Sequence, residues 1–189
     1  MKRRACILPG ELDGRDFRGD LDIAIDARGT WLYNDSPIER EYMVRLFADM
    51  LKRDANGDYW LVSETEMGRI QVADAPLLAV DFIVTGSGEE QRLNFVTNTE
   101  QLITATIESP LMMKPSPVSG EIMPYLVCSD AIEAKLTRAA YYAMVELAVT
   151  REPANPHDDP HAEADFGVWS AGEFFPLIFP VGAHDVSDA

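Results

Sequence analysis

The stretch from Gly29 to Leu51, GTWLYNDSPIEREYMVRLFADML, constrains the fold more than any other part of the chain. It reads as a short aromatic strand, a tight turn and an amphipathic helix. Ser36-Pro37-Ile38-Glu39 is a helix-start pattern: Ser36 can cap free N–H groups, Pro37 suits the first helical position, and Glu39 can reach back to the cap. Ile38, Tyr42, Leu46, Phe47, Met50 and Leu51 then recur at helical spacing as one apolar face. Asn56-Gly57 supplies a left-handed stop. The stretch carries architecture and no reaction chemistry.

Around it the pattern is mainly strand-like. Leu21, Ile23 and Ile25 alternate with Asp20, Asp22 and Asp26, and with Thr30–Tyr33 they suggest a hairpin ahead of the helix. Tyr59–Ser63, Gly68–Val72, Leu77–Val84, Arg92–Thr97 and Leu102–Ile107 are further strand candidates. Leu77–Val84 is nearly all apolar, as expected of a strand covered on both faces. Ser109–Gly120 reads as a proline-bearing loop. Tyr125–Val127 is a short strand, followed by a second cap candidate, Asp130, and a helical stripe of Ile132, Leu136, Ala140, Met144 and Leu147. Setting Ser36 on Asp130 also sets Ile38-Glu39 on Ile132-Glu133, which suggests a weak strand–cap–helix repeat. Phe166–Ser170 and Phe174–Phe179 form a last strand pair turning at Ala171-Gly172. The expected organisation is an irregular segment at 1–19, an α+β half at 20–74, a second half at 75–180 and a disordered tail at 181–189.

Composition limits the partners. Lys and Arg number 16 against 32 Asp and Glu, a formal net charge of −16. Such a chain is a poor match for nucleic-acid polymers or anionic membrane surfaces, both of which need clustered cations. The N-terminal apolar run is too short for a secretory signal, and no run approaches the roughly twenty apolar residues of a membrane span. The expectation is a cytoplasmic protein. Cys6 and Cys128 are far apart and form no disulfide framework. Cys128, among Tyr125, Leu126 and Val127, reads as a small buried residue, with a redox-sensitive thiol as the alternative.

Chemistry-bearing motifs are sparse. His157 and His161 flank two aspartates and are suitable metal-ligand types, so a metal-dependent hydrolase is one hypothesis. Pro156 and Pro160 break the helix that would align them, which favours a solvated acidic loop. There is no G-x-S-x-G elbow, P-loop or G-x-G-x-x-G. A binding pocket has more support. Arg40, on the first turn of the first helix, and Arg138, on the second helix, can meet a ligand carboxylate or phosphate, or else form internal ion pairs. Asn98 can bond a ligand or cap a turn. Trp31, Tyr33, Tyr125 and Trp169 offer stacking faces or core.

Five ordered stretches carry a family resemblance: GTWLYNDSPIEREYMVRLFADML, VADAPLLAV, RLNFVTN, PYLVCSDAIEAKLTRAAYY and GVWSAGEFFPL. Together, over about Gly19 to Leu177, they resemble the proteobacterial domain-of-unknown-function family 1285. Asn34-Asp35 departs from the small residue or glycine usual before Ser36, which affects the cap turn and not the fold. The resemblance implies an α+β protein of two related halves, each of antiparallel strands plus one helix, the second similar to a pleckstrin-homology-like barrel. It implies no established enzyme activity, and no cofactor is expected. It implies a signalling role and a small, nucleotide-like ligand between the halves, with Trp31, Tyr33, Arg40, Asn98, Arg138, Tyr142 and Trp169 as facing residues. The leading expectation is therefore a non-enzymatic protein that binds a small anionic ligand. A module docking a peptide or partner domain is the alternative.

Overall fold

A computed structural model describes residues 15–129, 131–152 and 165–177. The N-terminal segment with Cys6, the cap candidate Asp130, the His157–His161 loop and the tail lie outside these residues.

The first sheet opens with β1 (Asp16–Ile25), turns into β2 (Trp31–Tyr33), and turns again into β3 (Ser36–Pro37). Here the structure departs from the expected helix start. Asn34 and Asp35 both take left-handed backbone, φ 47° and 60°, and form a two-residue hairpin turn that pairs Tyr33 with Ser36. Ser36 is thus a strand residue. Helix α1 (Glu41–Asp49) starts five residues later behind Arg40, with no side-chain cap. Its stripe is rotated from the expected one: Tyr42 and Leu46 are exposed, and Ala48 is buried.

The expected helix end at Asn56-Gly57 is also overturned. The chain leaves α1 directly into β4 (Leu51–Arg53), and residues 54–58 turn it into β5 (Tyr59–Val62). Buried Asp54 organises that turn. It accepts from the Asn56 and Asp58 N–H groups, both at 2.9 Å, and from Trp60 Nε1 at 3.0 Å. β6 (Glu66–Val72) then returns to lie parallel to β1. The order is β3-β2-β1-β6-β5-β4.

The second sheet repeats this plan. β7 (Leu77–Thr85), β8 (Arg92–Thr97) and β9 (Leu102–Thr104) form one meander. β10 (Leu111–Pro115), β11 (Ile122–Val127) and β12 (Glu133–Leu136) form the other, and β12 lies parallel to β7. The order β9-β8-β7-β12-β11-β10 matches the first sheet strand for strand. Each sheet is two antiparallel meanders joined by a parallel central pair. The duplication is real, but its unit is not the strand–cap–helix alignment. Residues 111–115, expected as loop, are a strand, and so are residues 133–136, expected as helix.

The second helix, α2 (Arg138–Val145), follows the sixth strand of its sheet, whereas α1 sits between the third and fourth strands of the first. Thr137 caps α2 by accepting the Ala140 N–H at 3.3 Å. Two further features correct expectation. β7 is buried only near its start, with Ile83 and Val84 exposed. Among the described residues the second sheet does not close into a barrel.

A small third sheet, β13 (Val149–Arg151), β14 (Asp165–Ser170) and β15 (Glu173–Pro176), packs on the second. Ser170 Oγ joins them, accepting from the Leu93 N–H at 3.0 Å and donating to the Ala105 carbonyl at 2.8 Å. One hydrophobic core runs through both halves, from Ile25, Trp31 and Leu61 to Phe95, Leu126, Met144 and Val168. The molecule is α+β with duplicated halves.

Candidate functional site

The halves meet where β1 ends and β7 begins. Asp26 Oδ1 accepts the Arg28 and Thr30 N–H groups, both at 2.8 Å, and bends the turn after β1. Gly29 in that turn has φ +75°, and a Cβ there would stand 2.7 Å from Leu78 Cγ. Only glycine lets this turn approach the second half so closely. Asn98 holds the approach: its Oδ1 accepts the Leu78 N–H at 3.0 Å, and its Nδ2 donates to the Gly29 carbonyl at 3.4 Å.

A polar network lies beneath. Asp74, in the link between the sheets, has a side chain only 1% exposed. It accepts from Lys135 Nζ at 2.6 Å, Tyr125 OH at 2.7 Å and Ser116 Oγ at 2.8 Å. Burial by itself raises the Asp74 pKa, but the three donated bonds outweigh it and hold the carboxyl below its ordinary value. The Tyr125 hydroxyl is pushed up, first by burial and then by its bond to Asp74. Lys135 also donates to the Ala27 carbonyl at 3.1 Å. Nearby, Glu133 on β12 pairs with Lys114 at 2.6 Å and, across the junction, with Arg53 on β4 at 3.6 Å.

Above the network is a cavity of about 350 Å³ lined by Ala27 and Arg28 from the first half and by Leu78, Ser116, Lys135 and Arg138 among others from the second. Arg138 opens α2 and pairs with Glu121 at 3.0 Å, both side chains being exposed. Arg28 is exposed, and its guanidinium has no partner among the described residues. The wall is hydroxyl-rich and carries three cations against one carboxylate, Glu121, a composition that can receive an anion.

The seven residues anticipated from the sequence do not share one cavity. Arg138 lines the junction, and Asn98 secures its turn. Tyr33 and Arg40 line a different cavity, of about 570 Å³, beneath α1. Trp31 is buried behind that cavity, stacked on Phe47 with ring centroids 6.1 Å apart. Tyr142 is exposed on α2. Trp169 lies in the third sheet, packed edge-on against Phe174 at 5.2 Å. Arg28, Asp74 and Lys135 were not anticipated. Asp74 precedes Ala75-Pro76 and looked only like a break, and Lys135 was hidden inside a segment that looked helical. Among the described residues there is no group of three or more His, Cys, Asp or Glu placed to hold a metal.

Two family models cover nearly the whole described chain. "Domain of unknown function (DUF1285), N-terminal domain" matches residues 13–75, and "Protein of unknown function (DUF1285), C-terminal domain" matches residues 76–177. The chain belongs to the DUF1285 family. Among solved structures, a DUF1285 family protein from Silicibacter pomeroyi DSS-3 is 36% identical, with a TM-score of 0.76 over 94% of this chain and 90% of that one. A DUF1285 family protein from Shewanella baltica OS155 is 28% identical, with a TM-score of 0.54 over 67% of this chain and 91% of that one. No curated protein matches the chain. The DUF1285 N-terminal match contains the whole first sheet with α1, and the C-terminal match contains the second and third sheets with α2. Asp74, the centre of the polar network, thus lies two residues before the second match begins. Among the described residues of this DUF1285 protein no helix is long and apolar enough to cross a membrane.

Proposed function

We propose that this protein is a binding protein rather than an enzyme, and that it takes a small anionic ligand at the junction of its halves in a signalling or regulatory role. The carrying observation is the junction cavity, where Arg28, Lys135 and Arg138 come together in a chain of net charge −16. A pocket near 350 Å³ is at the small end of the range for ligand sites, about 300–1,000 Å³. That size favours a phosphorylated or carboxylated metabolite, or the phosphate end of a nucleotide-like molecule. Arg28 and Arg138 would contact the anion. Lys135, already held by Asp74 and Ala27, would add field rather than a free donor. Asn98 would act through the turn that presents Arg28. A ligand touching both halves would stiffen their junction, which gives the regulatory role a physical basis.

The test is a thermal-shift screen over nucleotides, phosphorylated metabolites and carboxylates. A ligand that binds only the folded state at a hundred times its Kd stabilises by about 2.7 kcal/mol. The expected result is a shift that an Arg28→Ala/Arg138→Ala variant loses and an Arg40→Ala variant keeps. No shift with any candidate, or one that survives the double substitution, overturns the proposal.

A further inference from the structure

The larger cavity is built quite differently from the junction. The sharp Asn34-Asp35 turn folds β3 back onto β2, and α1 stands over the sheet beyond it. The space of about 570 Å³ has apolar walls, chiefly Ile23, Pro37, Ile38, Met43 and Phe47. Trp31 stacks on Phe47 from behind. Tyr33, 56% exposed, also lines the cavity, and Tyr42 and Leu46 of α1 are exposed nearby. This is apolar surface left open to water, on a scale that suits a small molecule.

Two charged residues line it, Glu39 and Arg40. Arg40 precedes the first turn of α1, and its guanidinium has no partner among the described residues. The Arg28 and Arg92 guanidinium groups are likewise without a partner among the described residues. Arg18, Arg45, Arg69, Arg138 and Arg151 each pair with a carboxylate. An unpaired guanidinium beside an apolar cavity complements one carboxylate, which it can hold with two parallel hydrogen bonds. Glu39 supplies the opposing element. Its charge penalises a doubly charged head group, so a carboxylate is favoured over a phosphate.

We infer that this cavity binds a medium-chain carboxylate, with the hydrocarbon among Ile23, Ile38, Met43 and Phe47 and the carboxylate on Arg40. The site is separate from the junction and independent of its ligand. Arg40 and Arg138, expected on one ligand, line different cavities.

The experiment is calorimetric titration of the full chain with hexanoate, octanoate and decanoate, with decanol and decyl phosphate as comparisons, all below their aggregation concentrations. Each added methylene should tighten binding roughly threefold to fourfold, as burial of one methylene predicts. Arg40→Ala should weaken decanoate about tenfold and leave decanol unchanged. Glu39→Gln should strengthen decyl phosphate more than decanoate. Arg28→Ala/Arg138→Ala should change none of these affinities, which separates failure here from failure at the junction. Both residues at the mouth are exposed, so these variants are expected to fold, and circular dichroism checks it. Absence of decanoate binding overturns the inference. So does an Arg40→Ala effect equal for acid and alcohol, or loss of binding in the junction variant. Sedimentation as a dimer that decanoate does not compete with would assign the apolar face to a second copy and would also overturn it.

Discussion

Replacing Asp74 by asparagine keeps the shape of the side chain and removes its charge. In the native junction that carboxylate accepts bonds from Lys135, Tyr125 and Ser116, and only 1% of its side chain is exposed. The Lys135 side chain is itself only 16% exposed. With asparagine in place, the lysine keeps the Ala27 carbonyl but loses its counter-charge. Breaking one partner of a buried pair costs about 3–5 kcal/mol. For a protein of this length each kcal/mol moves the melting temperature by about 2–4 °C, so Asp74→Asn should lower it by on the order of 10 °C at pH 7. The acid side follows from the direction of the shift. The folded-state pKa of Asp74 is below its ordinary value, so its contribution is fully present above the unfolded value of about 3.9. It is lost as the pH falls through the lower, folded-state value. Urea denaturation followed by tryptophan fluorescence from pH 7 to pH 3 should show a constant gap between wild type and variant down to about pH 4–5, narrowing below. Adding Lys135→Met to Asp74→Asn should recover part of the loss, because no charge is then stranded. A single variant within about 1 kcal/mol of wild type at pH 7, or a gap that does not narrow in acid, would refute this account of the junction.

Thr137→Ala removes the one side-chain cap on α2 and should cost about 1 kcal/mol in denaturant unfolding, while Ser36→Ala, at the cap position expected from the sequence, should cost much less. Burial pushes the Cys128 thiol up to about 12, so the native protein at pH 8 should react with iodoacetamide at Cys128 far more slowly than the urea-unfolded chain, read by peptide mass spectrometry.

Much of the strand content could be read directly. Arg92–Thr97 alternates cleanly because Leu93, Phe95 and Thr97 are buried while Arg92 is exposed and Asn94 and Val96 are half-buried. Ala171-Gly172 declared its hairpin because both positions sit at positive φ. The errors cluster where a local signal was overruled by pairing. Ser-Pro-Ile-Glu is a sound helix start in isolation, yet Asn34-Asp35 just before it makes a better hairpin, and Ser36 pairs with Tyr33 instead. Ile132 and Leu136 have helical spacing, but Ala134 and Leu136 lie opposite Leu77 and Ala79 in a parallel pair. The partner of a parallel strand lies tens of residues away, so nothing local announces it. The junction cavity was illegible for the same reason. Its residues come from four separate stretches of the chain, 27–28, 78, 116–123 and 135–138, and Arg28 gains its place only when Gly29 meets Leu78. The family resemblance supplied the two-part plan, which no local pattern would have secured.

The first and last strands of each sheet lie side by side at its centre, so neither sheet can be completed until its whole length of chain has left the ribosome. Synthesis proceeds at roughly 5–20 residues per second, slowly enough for residues 16–72 to settle before the second sheet emerges. A chain cut short within either half would not lose a dispensable edge. It would lose the seam, leaving two meanders with their inner edges unpaired and open to other chains. Quality control would therefore meet such fragments as aggregating species rather than as smaller versions of the protein.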